Sequence, residues 1–206
     1  MSNPQQKKYQ MSFGVGGLLL NESVSVARLH KEDDAWEQTM LRALEQGATA
    51  LPKAASNRRT LREIINRLRT LSVREREFLL DEADRSDQQA LLWLASCRAY
   101  RFVHEFALEV IQERYLSYQI DLPLESFDIL FEAKAEWDDD LAGLSSSTRK
   151  KLRQVLFRML REAEILSGEN RIQTAILSQR LIAIIEDKNP AELALFPGVK
   201  FDGVQL

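Results

Sequence analysis

From Ser146 to Arg161 the chain carries six cations, Arg149, Lys150, Lys151, Arg153, Arg158 and Arg161, and no anion. A helix needs only a few charges to stay solvated, so this excess fits a surface that neutralises phosphates. Leu152, Val155, Leu156, Met159, Leu160 and Ala163 recur at i, i+3, i+4, i+7, i+8 and i+11, one apolar stripe of an amphipathic helix. At about 100° per residue, Lys150, Gln154, Phe157 and Arg161 fall opposite that stripe, flanked by Lys151, Arg153 and Arg158. Phe157 is therefore expected to be exposed. Gln154 could touch a base edge. Ser147 or Thr148 is the expected N-cap.

A second basic segment lies earlier. Residues 53–69 hold six cations against Glu63, a local net of +5, with Leu61, Ile64, Ile65 and Leu68 as the apolar stripe. Arg58, Arg59, Arg62, Arg67 and Arg69 crowd the other faces, and Arg58, Arg59 and Arg62 join the candidate phosphate contacts. Residues 121–140 have the opposite character: eight carboxylates and one lysine, a net of −7. The overall charge of −3 hides this alternation, so attraction to nucleic acid has to be local. The same pattern permits a competing use, with the basic helix docking on an acidic surface of this chain or of a partner.

Chemistry of other kinds has little support. His30 and His104 stand apart, without metal-binding or triad spacing. Cys97, the one cysteine, sits in the apolar run Leu91–Cys97, as a buried structural thiol would. Glu136-Trp137-Asp138-Asp139-Asp140 lacks the spaced ligands and turn glycine of a calcium loop and is expected to be a solvated acidic face. Phe13-Gly14-Val15-Gly16-Gly17 resembles a fragment of a phosphate loop, but no Gly-Lys-Ser/Thr follows it and no strong strand precedes it. A flexible lead-in to the first helix is expected there. A non-enzymatic protein with no cofactor, metal or small-molecule substrate follows.

The elements that must position these residues are mostly helical. Expected helices run from Leu18 to about His30; from an Asp33 or Asp34 cap to Gly47; from Ser56 or Asn57 through Arg69; from Ser72 to Asp84; and from Asp87, bending, to Tyr115. Leu124 to Trp137, the basic helix, one from Ser178, and a short one led by Pro190 follow. Residues 117–123 are extended, Leu166–Asn170 is a turn, and Arg171–Ile176 alternates like a short strand. Residues 1–10 and the tail after Pro197 are expected to be loose, and Pro52 marks a break. The fold class is thus predominantly all-α, in two parts, 1–120 and 121–206, with at most a short β segment. At 45% hydrophobic content the chain can bury a core. No stretch approaches the ~20 apolar residues of a membrane span. No export signal is evident, so a cytoplasmic location is expected.

Several segments also carry a family resemblance. Tyr9-Gln10-Met11-Ser12-Phe13, Leu91-Leu92-Trp93-Leu94-Ala95, Tyr100-Arg101-Phe102-Val103, Ala133-Lys134-Ala135-Glu136-Trp137, and Leu144 through Ala163 with its string Ser147–Val155 resemble, in order, the BrxA family. The resemblance implies a component of the BREX bacteriophage-exclusion systems that binds double-stranded DNA, works among other BREX proteins and has no catalytic residues. It implies a helical N-terminal part similar to the antitermination factor NusB. Helix, basic helix, turn and strand-like segment in the C-terminal part suit a winged-helix variant of helix-turn-helix. Family members have at times been labelled inner-membrane proteins, which this sequence contradicts.

Overall fold

A computed structural model describes residues 8–49 and 54–199. The Pro52 break, residues 1–7 and the chain beyond Val199 lie outside the described residues. The fold is predominantly α-helical, with eleven α-helices among the described residues.

The first five helices are α1 (Leu20–Leu29), α2 (Trp36–Glu45), α3 (Ala54–Leu68), α4 (Val73–Asp81) and α5 (Arg85–Ala99). They pack on one another around α5, whose residues Ala90 to Cys97 are all buried. Such an all-round apolar helix belongs in the centre of a core. Tyr100 leaves helical geometry at φ −127°, ψ 108° and bends the chain into α6 (Arg101–Glu105). A π-helical segment, Phe106–Gln112, and α7 (Glu113–Leu116) complete that long rod. The remaining helices are α8 (Glu125–Ala135), α9 (Asp139–Ala142), α10 (Ser146–Glu162) and α11 (Gln179–Lys188). A 3-10 turn, Pro190–Leu195, closes on α5 and the π segment, and Leu195 O accepts from Trp93 Nε1 at 3.1 Å.

The core runs without a break across position 120. Phe102 and Phe106 pack on Phe127 at 5.1 and 6.4 Å between centroids, and Phe106 reaches Phe157 at 6.4 Å. Among the described residues no helix is long and apolar enough to cross a membrane.

Local chemistry sets most helix starts. Ser72 starts α4 as expected, in a capping box with Glu75, and Ser178 accepts from Leu181 N at 3.1 Å. Three expected caps shift. The basic helix is capped by Ser145, which accepts from Thr148 N at 3.2 Å, so Ser147 and Thr148 lie inside the first turn. Helix α5 is capped by Asp84, and Asp87 instead accepts from Ser178 N at 3.1 Å across the fold. No side chain caps α2; Asp34 pairs with Arg42. A run of several Ser, Thr or Asp residues leaves the choice of cap to whichever residue packing leaves extended.

The expected strand at 171–176 shrinks to two isolated antiparallel bridges, Asp121 with Arg171 and Leu166 with Ile172. Ile172 N donates to Ile120 O at 2.7 Å and Gln173 N to Ile165 O at 2.8 Å. Residues 171–173 are thus held between 120–122 and 165–167. Beyond them, Ala175 N turns to Pro197 O at 2.8 Å, which ends the ladder.

Arg67, expected on the outer face of α3, is fully buried. It donates to Glu63 Oε1 at 2.9 Å and to Gly17 O at 2.7 Å. Tyr100 OH donates to Glu63 Oε2 at 2.6 Å. Burial first, and then the Glu63 carboxylate, push the Tyr100 hydroxyl up to about 12. A buried charge persists when it is paired, and Glu63 Oε1 lies 2.7 Å from Arg67 Nη2. This network ties the glycine segment to α3 and α5.

Candidate nucleic-acid interface

The cations of α10 separate by flank. Arg149 and Arg153, four residues apart on one stripe, turn toward acidic α8. Arg149 Nε donates to Asp128 Oδ1 at 2.7 Å, its Nη2 to Glu132 Oε1 at 2.9 Å, and its guanidinium lies 4.8 Å over the Phe131 ring. Arg153 pairs with the other oxygen of Asp128. Both arginine side chains are only 23% exposed. Partial burial alone would lower the Arg149 pKa; the bonds to Glu132 and Asp128 outweigh it, and the net shift is upward. These two charges are neutralised within the fold.

The opposite flank faces α3. Lys151, Gln154, Val155 and Arg158 form one wall of a cleft of about 440 Å³, and Ser56, Arg59 and Thr60 of α3 form the other. Gly14, Val15 and Gly16 line it between them. Lys151, Gln154 and Arg59 are exposed, and no ion pair holds Lys151 or Arg59 among the described residues. Arg158 Nε donates to Glu162 Oε1 at 2.7 Å, yet its side chain stays 63% exposed. An exposed pair of this kind contributes about 0–1 kcal/mol, so a phosphate can compete for the guanidinium.

The glycine segment does more than lead into α1. Glu162 Oε2 accepts from Leu18 N at 2.5 Å, and a Cβ on Gly17 would overlap that carboxylate. Gly16 has φ 67°, where other residues are strained. The segment is packed tightly between both basic helices, and three glycines in four residues are the trace that this close approach leaves in the sequence.

Lys150 is exposed one residue from the cleft wall. Arg161, also exposed, donates to Asn170 Oδ1 at 2.8 Å and stands at the end of α10 beside the 167–170 turn. Arg58 and Arg62 are exposed, one turn apart on α3. Of the ten expected contacts, the cleft thus collects Arg59, Lys151, Gln154 and Arg158; Lys150, Arg161, Arg58 and Arg62 remain on open surface; Arg149 and Arg153 are latched to α8.

Phe157 corrects the sequence expectation. It is 1% exposed, because α10 is enclosed by α5, the π segment and the glycine segment, and not along a single stripe. Cys97 is buried and its thiol is pushed well up by that burial. No group of three or more His, Cys, Asp or Glu is placed to hold a metal among the described residues.

The BrxA family model matches residues 7–189. The chain belongs to the BrxA family. Membership implies a component of a BREX phage-defence system. The crystal structure of an uncharacterized protein from Magnetospirillum magneticum shares the fold, with TM-score 0.76 and 20% identity over 92% of this chain and 97% of that one. A search of the curated proteins finds no match.

Proposed function

We propose that the chain is a non-enzymatic double-stranded DNA-binding component of its BREX system, gripping the duplex through backbone phosphates. The observation that carries this reading is the cleft in which Arg59, Lys151 and Arg158 converge from two helices 92 residues apart in sequence. Exposed cations without buried partners are the groups that gain by replacing condensed counterions on a duplex. Gln154, between Lys151 and Arg158, is the side chain nearest in character to a base reader. Arg161 and Lys150 extend the track along α10, and Arg58 and Arg62 along α3. The sequence of α8, α10 and the small hairpin at 165–173 supports a winged-helix-like module for 121–206, with that hairpin in place of the wing. A cytoplasmic site of action, alongside other BREX proteins, goes with this reading.

A second reading keeps one observation in its favour. One flank of α10 already meets an acidic helix, so an acidic partner could use the other flank in an adaptor role. A duplex-DNA shift assay over a salt series separates the two. DNA binding should weaken with a log–log slope of about −3 or steeper, from roughly −0.9 per phosphate contacted. Absence of binding at low salt would sink the DNA reading.

A further inference from the structure

A second surface lies away from the cations. Among the described residues eight large apolar side chains are exposed, and four of them, Leu116, Tyr118, Leu124 and Ile129, fall within residues 116–129. Ile129 lines a groove of about 620 Å³ between the π segment with α7 and α8, together with Val110, Leu130 and Ala133, and Leu116 and Tyr118 adjoin its lining residues Ser117 and Gln119 in the chain. Isolated exposed apolar residues need no explanation; a cluster around a groove marks an interaction site.

Tyr118 strengthens the case. It occupies the left-handed position that ends α7, at φ 59°, with Gln119 N bonded back to Arg114 O at 2.8 Å. Glycine is the usual residue there, because a side chain in that conformation costs about 1–2 kcal/mol. Yet the tyrosine ring is 91% exposed and packs on almost nothing. The left-handed turn closes the helix end through Gln119 N, and the ring itself is left on the surface.

The rim decides what fits. Glu109 and Glu113 line the groove and Glu125 stands at the start of α8. Glu113 and Glu125 are exposed and make no ion pair among the described residues. Lys134 pairs with Glu105 and with Glu109 of the rim, and Arg114, also in the lining, donates to the Asp121 carbonyl and keeps its charge, so Glu113 and Glu125 leave the rim with a net of about −1. DNA is repelled by such a rim. A second copy offers no complement either, since the apolar faces of its two basic helices are buried in its own core.

We propose that this groove docks an amphipathic helix of a partner protein, one whose apolar stripe is flanked by lysines or arginines. A groove between two helical elements, with Val110, Ile129, Leu130 and Ala133 as its apolar lining, suits a helix laid lengthwise, read at i, i+3 or i+4, and i+7. The acidic rim supplies the charge match and the orientation. The site lies apart from the cleft, so helix and duplex bind together.

The test uses the intact protein and two labelled helical peptides, identical in their leucine stripe, one flanked by lysines and one by glutamates, followed by fluorescence anisotropy. The lysine peptide should bind and the glutamate peptide should not. Ile129→Glu should weaken the lysine peptide at least tenfold; because it adds an anion, that loss cannot come from weaker charge attraction. Glu113→Gln with Glu125→Gln should weaken it less, and the effect should vanish in high salt. Both exposed-site variants should melt with the parent protein. Equal binding of the two peptides, no binding of the lysine peptide, or an unchanged Ile129→Glu variant overturns the proposal. So does displacement of the peptide by duplex DNA, or a dimer in sedimentation that Ile129→Glu dissolves. Loss of DNA binding in the parent protein would leave this result standing, so the two readings fail separately.

Discussion

The two flanks of α10 carry similar side chains and do opposite things. Toward α8, Arg149 and Arg153 share the Asp128 carboxylate and are spent inside the fold. Toward α3, Lys151 and Arg158 face Arg59 across an open cleft, and of these three Arg158 alone has an ion-pair partner among the described residues, the half-buried Glu162. A guanidinium already hydrogen-bonded to a carboxylate gains little by meeting a phosphate; one paired only with water and counterions gains by the exchange. The lesson is that a positive run is a stock of charge, and the neighbouring helix decides how much of it is available.

The sharpest contrast uses a charge that belongs wholly to the fold. Glu75 is buried beside Arg98, which also binds Glu192 at 2.6 Å. Burial alone would raise the Glu75 pKa; the Arg98 bond, then the Ser72 amide, outweigh it and bring it from 4.5 to about 2. The folded value lies below the unfolded one, so the unfolded chain binds the proton more tightly. The contribution is therefore complete above pH 4.5 and lost as pH falls toward 2, on the order of 3 kcal/mol. Acid titration of stability should show a drop in that window, and Glu75→Gln should abolish it while leaving DNA affinity at neutral pH unchanged in the folded fraction.

Next in size is the open flank. Arg59→Ala, Lys151→Ala and Arg158→Ala together should lower duplex affinity on the order of a hundredfold and reduce the salt slope by about three units. Unchanged binding would remove the cleft from the interface. On the latched flank, Asp128→Asn should do the reverse: with Arg153 released and Arg149 left on Glu132 alone, affinity should rise several-fold at low salt. A fall instead would mean that Asp128 orients α10 for binding. The smallest effect is expected from Arg149→Ala. It should cost about 1 kcal/mol of stability, a melting shift of roughly 2–4 °C, and change DNA affinity less than twofold.

How far the sequence carried this picture depends on the length over which each signal acts. The helices were legible because an apolar stripe repeats over several turns, as in α3, α8 and α10. The Ser72 and Ser178 caps were legible because capping is local. Phe157 and Arg67 were misplaced for one reason: periodicity reports a single buried face, whereas α10 and α3 are enclosed from several directions by elements distant in sequence. The latch was half legible. The −7 segment beside the basic helix announced an acidic neighbour, but only the fold says that Asp128 meets Arg149 and Arg153 while Lys151 looks the other way. The cleft was not legible, since it joins residues 14–16, 56–60 and 151–158, and the glycines read more simply as flexibility.

The π-helical segment has an effect on phase. In an α-helix the core-facing partners of Phe102 and Phe106 would continue at 110, four residues on. Hydrogen bonds that span five residues add one residue to the turn, and along the Phe102–Phe106 line the next fully buried position is Ile111, five residues on, with Ala107 buried between them. Val110 is thereby shifted out of the core sequence and becomes part of the groove wall. The inner face and the outer groove of the rod are therefore set by one offset. Deleting a single residue between 107 and 110 would restore α-helical counting, turn position 110 inward and erase the groove.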